Sequence, residues 1–443
     1  MKPTPNQTPT DPLAALLTRA QQALGRNALP EVAQLLNQAQ RSHPNDPRIF
    51  MLGGVLAEKS GKTDQAIEAL EHAARLAPQW WPAQLELALL LARSNRFTRA
   101  LEQADQVFRL APTELPVLLN LVDIAHRSGD LGRAIRWLQQ GLQLRPSDAL
   151  LQDYLARDLA AVGRLDEALV LWAQVLEREP QNAPARLARL EALVEAQRPT
   201  EAAADVQVLL QQQPDDPVYR YYEQWTQGQT PPVQPVELLR LRFDGMAEGY
   251  DIHMVRVLGY QLPQQVAEEL RSLFPARDGH LLDLGCGTGL LGLYLGPWQG
   301  AVVGVDISRP MLDRAARHGV YDKLHQVNVL DALRDTPSDQ YQIITALDVF
   351  PYVGDLAQAI AHAGRILTAG GVFIGSTEKA DAQVGAERGY VLQANGRYAH
   401  HQTALQAWLE AAGFVQIELR EQPLRTERGQ PVVGVVITAR KPA

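Results

Sequence analysis

Apolar residues in the first half of the chain recur at the spacing of helices that bury one face. In one short stretch, Ala66, Ile67, Leu70, Ala73 and Ala74 fall on the same side of a helix. The same pattern, with apolar residues three and four positions apart, continues through roughly the first 216 residues. It predicts an all-α region that is made of many short helices.

These predicted helices belong to a repeat with a fixed period. Proline recurs every 34 residues, at positions 44, 78, 112, 146, 180 and 214. A small apolar residue stands twelve positions before each proline: Val32, Ala66, Ala100, Ala134, Ala168 and Ala202. Glycine or asparagine stands seventeen positions before five of the prolines: Asn27, Gly61, Asn95, Gly129 and Gly163. Proline ends a helix, a small residue lets two helices approach closely, and glycine or asparagine accepts a left-handed turn.

This unit resembles the tetratricopeptide repeat, a helix-turn-helix unit of the same period. The resemblance predicts six repeats over residues 13–216, after a flexible N-terminus at residues 1–12. Stacked repeats of this kind present a concave groove, which predicts a protein or peptide partner. A dimerisation surface, or a scaffold that only packs on a neighbouring domain, are the alternatives.

A change in composition separates the repeats from the rest of the chain. The aromatic cluster YRYYEQW at 219–225 is predicted to cap the last repeat, and the proline-rich GQTPPVQP at 228–235 to form a linker. The capping segment and linker thus occupy residues 217–235. The second domain is predicted to span residues 236–443.

The second domain alternates short apolar runs with helical segments. The predicted strands are HLLDLG (280–285), AVVGVD (301–306), YQIITALD (341–348), GGVFIGST (370–377), FVQIEL (414–419) and VVGVVITAR (432–440). Such alternation indicates a doubly wound, mostly parallel sheet, in which ligands bind at the carboxyl ends of the strands.

A glycine-rich turn follows the first of these strands. Gly285, Gly287 and Gly289 allow the backbone to turn sharply and to pass close to a ligand, and Asp306 ends the next strand, where its carboxylate can accept both hydroxyls of a ribose. The dinucleotide pattern GxGxxG needs glycine or alanine three positions after Gly287, where this chain has Leu290. A nicotinamide or flavin site is therefore disfavoured.

The block LDLGCGTG resembles motif I of the class I S-adenosylmethionine-dependent methyltransferases. Further blocks between residues 242 and 440, among them RFDGMAEGYDIH, LDVFPYVGDL and GYVLQANGRYAH, resemble a bacterial group of predicted methyltransferases fused to tetratricopeptide repeats. The resemblance implies an all-α repeat solenoid followed by a Rossmann-like α/β methyltransferase domain. It also implies S-adenosylmethionine as the cofactor, with the amino group of its methionine held by Asp283.

The same resemblance assigns further positions in the site. Asn328 follows the strand that this class places third, between AVVGVD and YQIITALD, where an acid usually meets the adenine amino group. Asp348 ends YQIITALD, the fourth strand of the class, where it faces the transferred methyl group. Tyr352 follows in the same loop and is a candidate substrate residue. Tyr250 lies in a segment that in this class often folds over the cofactor.

Methyl transfer needs a base only if the acceptor arrives protonated. The candidate catalytic residues are Asp348 and His400. Arg397 and Tyr398, close to His400 in GRYAH, are candidate substrate residues, and an arginine there would favour a carboxylate or phosphate acceptor.

Charge and composition exclude several other classes of protein. The formal net charge of −8 argues against a general nucleic-acid or membrane-surface binder. The only cysteine, Cys286, permits no intrachain disulfide. We find no signal peptide, no apolar run of the roughly 18–20 residues that span a bilayer, and no metal-spaced His/Cys cluster. These features predict a cytoplasmic protein without a metal, a membrane or a nucleic-acid partner.

Three functions are compatible with the sequence. The first is a methyltransferase whose repeats recruit a protein substrate or partner. The second is a methyltransferase for a small molecule, such as a carboxylic acid, whose repeats serve assembly. The third is a repeat adaptor whose second domain binds the cofactor without turnover.

Overall fold

The computed structural model describes residues 12–427 and 429–443. The chain divides into two compact units, residues 1–185 and 186–443. Apart from Pro12, the N-terminus that the sequence predicts to be flexible lies outside the described residues.

The first unit consists of helices that pack as antiparallel pairs. Their bounds are α1 Pro12–Gly25, α2 Leu29–Ser42, α3 Pro47–Lys59, α4 Thr63–Leu76, α5 Trp81–Arg93, α6 Phe97–Leu110, α7 Leu115–Arg127, α8 Leu131–Leu144, α9 Ala149–Ala161 and α10 Leu165–Arg178. The second helix of each pair ends two residues before a repeated proline, because the residue before proline avoids the helical conformation. The predicted repeat of helix pairs is confirmed.

The turns and contacts inside the pairs follow the sequence markers. Backbone φ is positive at the five predicted glycine and asparagine positions and also at Gln197, the corresponding position of the sixth unit. The small apolar residues of the repeat, from Val32 to Ala202, are fully buried between helices. Trp137 and Trp172 are also buried, so these tryptophans are core residues and not exposed anchors.

The second unit begins with helices and continues into the sheet. The helices are α11 Ala183–Glu195, whose first residues belong to the first unit, α12 Pro199–Gln212, α13 Pro217–Thr226, α14 Val236–Met246, α15 Tyr250–Ile252, α16 Leu262–Leu273, α17 Leu290–Leu295, α18 Arg309–Ala315, α19 Val329–Asp335, α20 Ala357–Ile366 and α21 Gln402–Ala411. A π-helical turn, His253–Val257, follows α15.

The strands of the second unit form one sheet. They are β1 Leu281–Leu284, β2 Val302–Asp306, β3 Lys323–Gln326, β4 Tyr341–Ala346, β5 Leu367–Lys379, β6 Tyr390–Leu392, β7 Tyr398–His400, β8 Val415–Glu427 and β9 Gln430–Arg440. The order β3-β2-β1-β4-β5 is parallel throughout, and β9 and then β8 continue it in antiparallel pairing. The far end of β5 also pairs with β7, which pairs with β6.

Both faces of this sheet are covered by helices. Leu282 and Ile344 face a core that includes residues of α20 and α21, whereas their neighbours Leu281 and Ile343 face a core that includes residues of α16 and α17. Successive side chains along each strand therefore pack into two separate cores, one on each face of the sheet. The predicted doubly wound α/β fold is confirmed. Among the described residues, no helix combines the length and the apolar character that crossing a membrane requires.

Candidate active site

The ends of the parallel strands converge on one cleft. Gly285 follows β1, Asp306 ends β2, Asn328 follows β3 and Asp348 follows β4, and all four residues line a cleft of roughly 720 Å³, its open mouth included. Parallel strands place their carboxyl ends at the same edge, which is why residues up to 63 positions apart meet here. The structure thus brings together most of the residues that the sequence assigns to the cofactor.

The glycine turn forms the floor of this cleft. Gly285 and Gly287 have φ of 64° and 54°, and a side chain at Gly285 would collide with Val349. At Gly287 a Cβ would meet no atom within 4 Å, so the backbone there faces open space. Gly289 instead packs closely on Ala315 and does not line the cleft. Gly287 therefore leaves room for a ligand, whereas Gly285 lets Val349 approach closely and Gly289 lets two helices approach.

Asp306 is the buried carboxylate of the cleft. Its Oδ2 accepts a hydrogen bond from the Gly287 N–H at 2.9 Å, and its Oδ1 accepts one from the Ser308 N–H at 2.8 Å. Burial raises the pKa of Asp306, and these backbone hydrogen bonds oppose the rise. Each carboxylate oxygen keeps a further lone pair, which suits the two hydroxyls of a ribose.

Asp283 lies behind the glycine turn and lines a smaller cleft of about 370 Å³. Hydroxyl groups of Tyr321 and Thr345 donate hydrogen bonds to its two oxygens, each at 2.7 Å. Burial raises the pKa of Asp283 to about 6, although both hydrogen bonds oppose the rise. A cationic amino group beside this carboxylate would restore the ionised form.

A polar atom without a partner faces the same smaller cleft. Tyr260 is 4% exposed, and its hydroxyl has no hydrogen-bond partner among the described residues. Burial raises the pKa of Tyr260 well above its usual value, so the hydroxyl stays a neutral donor. With Asp283 for an ammonium group and Tyr260 for a carboxylate, this cleft fits the methionine end of S-adenosylmethionine.

The segment before the sheet covers the larger cleft. The Ser308 hydroxyl donates to Asp244 Oδ1 at 2.6 Å, and the Thr288 hydroxyl donates to Asp251. These two bonds hold α14 and α15 against the loops that follow β1 and β2. Tyr250, at the start of α15, lines both clefts, and its contact with the cofactor stays a prediction.

Asn328 lines the larger cleft and also starts a helix. Its Oδ1 accepts the Leu330 N–H at 2.9 Å and so caps α19. Ile307, Met311 and Val329 supply apolar surface nearby in the same cleft. A planar base suits such a surface, and contact of Asn328 with adenine stays a prediction.

Asp348 is held from two directions at the other side of the cleft. Its backbone has φ of 58°, which is rare outside glycine, and its N–H donates to the Ser376 hydroxyl at 2.9 Å. Its Oδ1 lies 2.8 Å from Arg425 Nη1. Burial raises the pKa of Asp348, and the positive charge of Arg425 opposes the rise.

Arg425 belongs to a buried cluster of charges. It also pairs with Glu378 and, at 2.7 Å, with Glu427, and Arg397 pairs with the same two glutamates. Three carboxylates, counting that of Asp348, thus face two guanidinium groups. The excess of negative charge beside the cleft complements a cationic sulfonium.

The residues of the GRYAH segment support the cleft from behind and do not line it. His400 is fully buried, with Nε2 2.8 Å from the Gly354 carbonyl and Nδ1 beside the Thr377 hydroxyl, and burial lowers its pKa to about 4. The Tyr398 hydroxyl donates to the Pro231 carbonyl at 2.8 Å. This geometry favours structural roles for Arg397, Tyr398 and His400, whereas Tyr352 does line the cleft.

Sequence reasoning did not identify several residues of the site. Gln234, Tyr260 and Tyr321 carry no motif, and only their positions in the fold bring them to the clefts. Arg425 likewise reaches Asp348 only through the fold of the domain. Among the described residues, no group of three or more His, Cys, Asp or Glu side chains is placed to hold a metal.

Comparison with known proteins agrees with this geometry. The family model described as a methyltransferase domain matches residues 258–419, and models of the tetratricopeptide repeat match residues 48–79, 85–149 and 159–221. The chain is 31% identical over 204 residues to the ubiquinone biosynthesis O-methyltransferase of Azorhizobium caulinodans, which is 42% of this chain and 79% of that protein.

Other proteins show the same kind of similarity. The ubiquinone biosynthesis O-methyltransferase of Coxiella burnetii is 27% identical over 164 residues, which is 33% of this chain and 70% of the relative. The crystal structure of the magnesium protoporphyrin IX methyltransferase from Synechocystis, with bound S-adenosylhomocysteine, has a TM-score of 0.36 and 17% identity, over 47% of this chain and all of the other. From the match to the Azorhizobium relative and the family models, the chain belongs to the S-adenosylmethionine-dependent methyltransferases, with tetratricopeptide repeats ahead of its methyltransferase domain.

Proposed function

We propose that this protein transfers a methyl group from S-adenosylmethionine to a small hydroxylated molecule, and that its repeats bind a partner protein. The observation that carries the proposal is a single cleft with two different sides. One side has the glycine turn and Asp306, and the other has Asp348 among apolar side chains. Donor and acceptor can therefore meet inside one enclosed space.

The acceptor side of the cleft favours a neutral molecule. Its apolar lining includes Leu239, Phe243, Leu347 and Val353, and none of the Lys, Arg and His side chains that the structure describes lines the cleft. Arg425, which contacts the cleft residue Asp348, and the predicted substrate residue Arg397 are already paired with carboxylates. A carboxylic acid acceptor, one of the alternatives that the sequence left open, finds no cationic partner here. The similar curated proteins are O-methyltransferases by name, which supports a hydroxyl acceptor.

The residues of the chain supply position and proton transfer. When bound, S-adenosylmethionine supplies an electrophilic methyl group with a neutral leaving group, so no acid is needed. Asp306 and Asp283 would hold its ribose and its amino group, and the cover formed by α14 and α15 would exclude water. We propose that Asp348 accepts the proton of the acceptor hydroxyl, because its burial favours the protonated carboxyl.

The test is methyl transfer by the full-length chain to a fractionated cell extract. The extract is separated into proteins and small molecules, and each fraction is incubated with S-adenosylmethionine that carries a labelled methyl group. We expect label in the small-molecule fraction that survives alkali, because methyl ethers resist alkaline hydrolysis and methyl esters release methanol. Label in proteins would favour recruitment of a protein substrate instead. No label in either fraction would contradict the proposal and favour the non-catalytic adaptor.

A groove in the first unit supports the partner-binding role. It has a volume of roughly 1000 Å³, its open mouth included, and is lined by both acidic and basic side chains, among them Glu71, Arg75, Arg99 and Glu102. Mixed charge of this kind suits a peptide better than a nucleic acid. The charge-reversal variant Arg99→Glu should weaken the binding of any partner protein that co-purifies with the full-length chain. It should not change the affinity of the chain for S-adenosylmethionine. Unchanged partner binding would argue against this groove as the binding site of the partner.

The cytoplasmic location that the sequence predicts stays a prediction.

A further inference from the structure

We propose that Gln234 selects the methyl acceptor, by accepting a hydrogen bond from a hydroxyl group on that molecule. This inference rests on the proposed function, because it names the residue that recognises the acceptor in the same cleft. It also assigns the proline-rich segment 231–234, which the sequence suggests is part of a linker, to the acceptor site.

The segment 231–234 is fixed to the methyltransferase core by its backbone. Val233 forms an antiparallel bridge with Val353, and the Gln234 N–H donates to the Tyr352 carbonyl at 3.2 Å. The Pro232 carbonyl accepts the Gly354 N–H at 2.8 Å. The segment therefore pairs with the loop that follows Asp348, and both Val233 and Gln234 line the larger cleft.

In the side-chain amide of Gln234, one polar atom has a hydrogen-bond partner and the other has none. It is 2% exposed, and its Nε2 donates to the Gly396 carbonyl. Since that contact needs a donor, it fixes the orientation of the amide and leaves Oε1 as the other end. Oε1 has no hydrogen-bond partner among the described residues. A buried carbonyl oxygen without a partner is costly, and natural proteins rarely keep one without a reason.

The chemistry of the orphan oxygen limits what can bind beside it. Oε1 can only accept, so its partner must carry an O–H or N–H group. A carboxylate or phosphate that has lost its proton offers no donor, and Asp348 in the same cleft would repel it. Apolar side chains fill most of the remaining wall. The class of acceptor is therefore a small, neutral, mostly apolar molecule with a hydroxyl donor.

The experiment compares three probes of similar shape on the full-length chain saturated with S-adenosylhomocysteine. Resorcinol has two hydroxyl groups, one for Asp348 and one for Gln234, 3-methoxyphenol has only one, and 3-hydroxybenzoate carries the negative charge in place of the second. Ligand-detected NMR titrations give the three affinities. We expect resorcinol to bind about fivefold more tightly than 3-methoxyphenol, the size of one hydrogen bond to a buried acceptor, and 3-hydroxybenzoate to bind more weakly than resorcinol.

The variant Gln234→Met keeps the length of the side chain and removes the hydrogen-bond acceptor Oε1, so the difference between resorcinol and 3-methoxyphenol should disappear. Gln234→Leu serves as a second variant if Gln234→Met does not fold. The control Thr230→Val removes the 2.8 Å hydrogen bond that Arg388 donates to the Thr230 hydroxyl, just before the segment 231–234. It should keep the difference in affinity between the two neutral probes.

Four results would overturn the inference: a resorcinol preference that persists in both Gln234 variants, no resorcinol binding in the wild type, no preference of the wild type for resorcinol over 3-methoxyphenol, or tighter binding of 3-hydroxybenzoate than of resorcinol. A wild-type chain that does not bind S-adenosylhomocysteine would instead overturn the proposed function itself.

Discussion

The two sides of the cleft are built in different ways. The donor side comes mostly from one continuous stretch, because Asp283, the glycine turn and Asp306 lie within 24 residues of each other. The acceptor side is assembled from distant segments: Gln234 precedes the domain's first helix, Asp348 follows β4, and Arg425 lies on β8. The residues of the donor side are thus close in the sequence, so a motif can reveal them. The residues of the acceptor side come together only in the folded domain.

This comparison predicts that variants in the buried charge cluster behind the acceptor side damage the fold, whereas variants on the donor side change binding. The largest effect should follow Arg425→Met. It leaves Asp348, Glu378 and Glu427 without their shared cation, and breaking a buried ion pair costs about 3–5 kcal/mol. Urea unfolding of the full-length chain measures the change in the free energy of unfolding.

A matched control lies on the same strand. Arg420 pairs with Glu418 and Glu269 at the surface, with 41% of its side chain exposed, so Arg420→Met should change the free energy of unfolding little. Equal effects of the two substitutions would show that the buried cluster does not hold the acceptor side together.

The next largest effect should follow Asp306→Ala on the donor side. Loss of two hydrogen bonds to a carboxylate should weaken the binding of S-adenosylmethionine by about 1–3 kcal/mol, with little change in unfolding. Calorimetric titration measures the affinity, and Asp313→Ala, which removes an exposed partner of Arg309, is the control. An unchanged affinity in Asp306→Ala would show that Asp306 does not bind the methyl donor.

The donor side should also respond to pH through Asp283. Burial raises the pKa of this carboxyl to about 6, so a falling pH protonates it and removes the charge that attracts the amino group. Affinity for S-adenosylmethionine should fall by about tenfold between pH 7 and pH 5, one unit below that pKa. Asp283→Asn should bind weakly with a flatter pH profile. The same pH dependence in both proteins would point to another group.

The smallest effect should follow Tyr260→Phe. The substitution removes one hydroxyl that has no partner in the protein, so stability should not fall. Affinity for S-adenosylmethionine should fall by about 0.5–1.5 kcal/mol, the range of a single hydrogen bond. Tyr294→Phe, on α17, is the control, and equal affinities of Tyr260→Phe and wild type would exclude the hydroxyl from the methionine site.

The same contrast explains how far the sequence alone could go. The period of the prolines predicts where the helices of the repeats end, because each marker acts on its own neighbours. Asp306 and Gly285 are predicted for the same reason. Gln234 is not predictable, since its role depends on pairing with a loop more than 110 residues later. For His400 the motif indicated chemistry, whereas burial and two neighbouring carbonyls favour a structural role.

We propose that the cleft between Gly285 and Asp348 holds the methyl donor. The most direct measurement is a calorimetric titration of the full-length wild-type chain with S-adenosylmethionine. The account predicts saturable binding of one molecule per chain, with the affinity lost progressively as the pH falls below about 6. The absence of binding near pH 7.5 would contradict it.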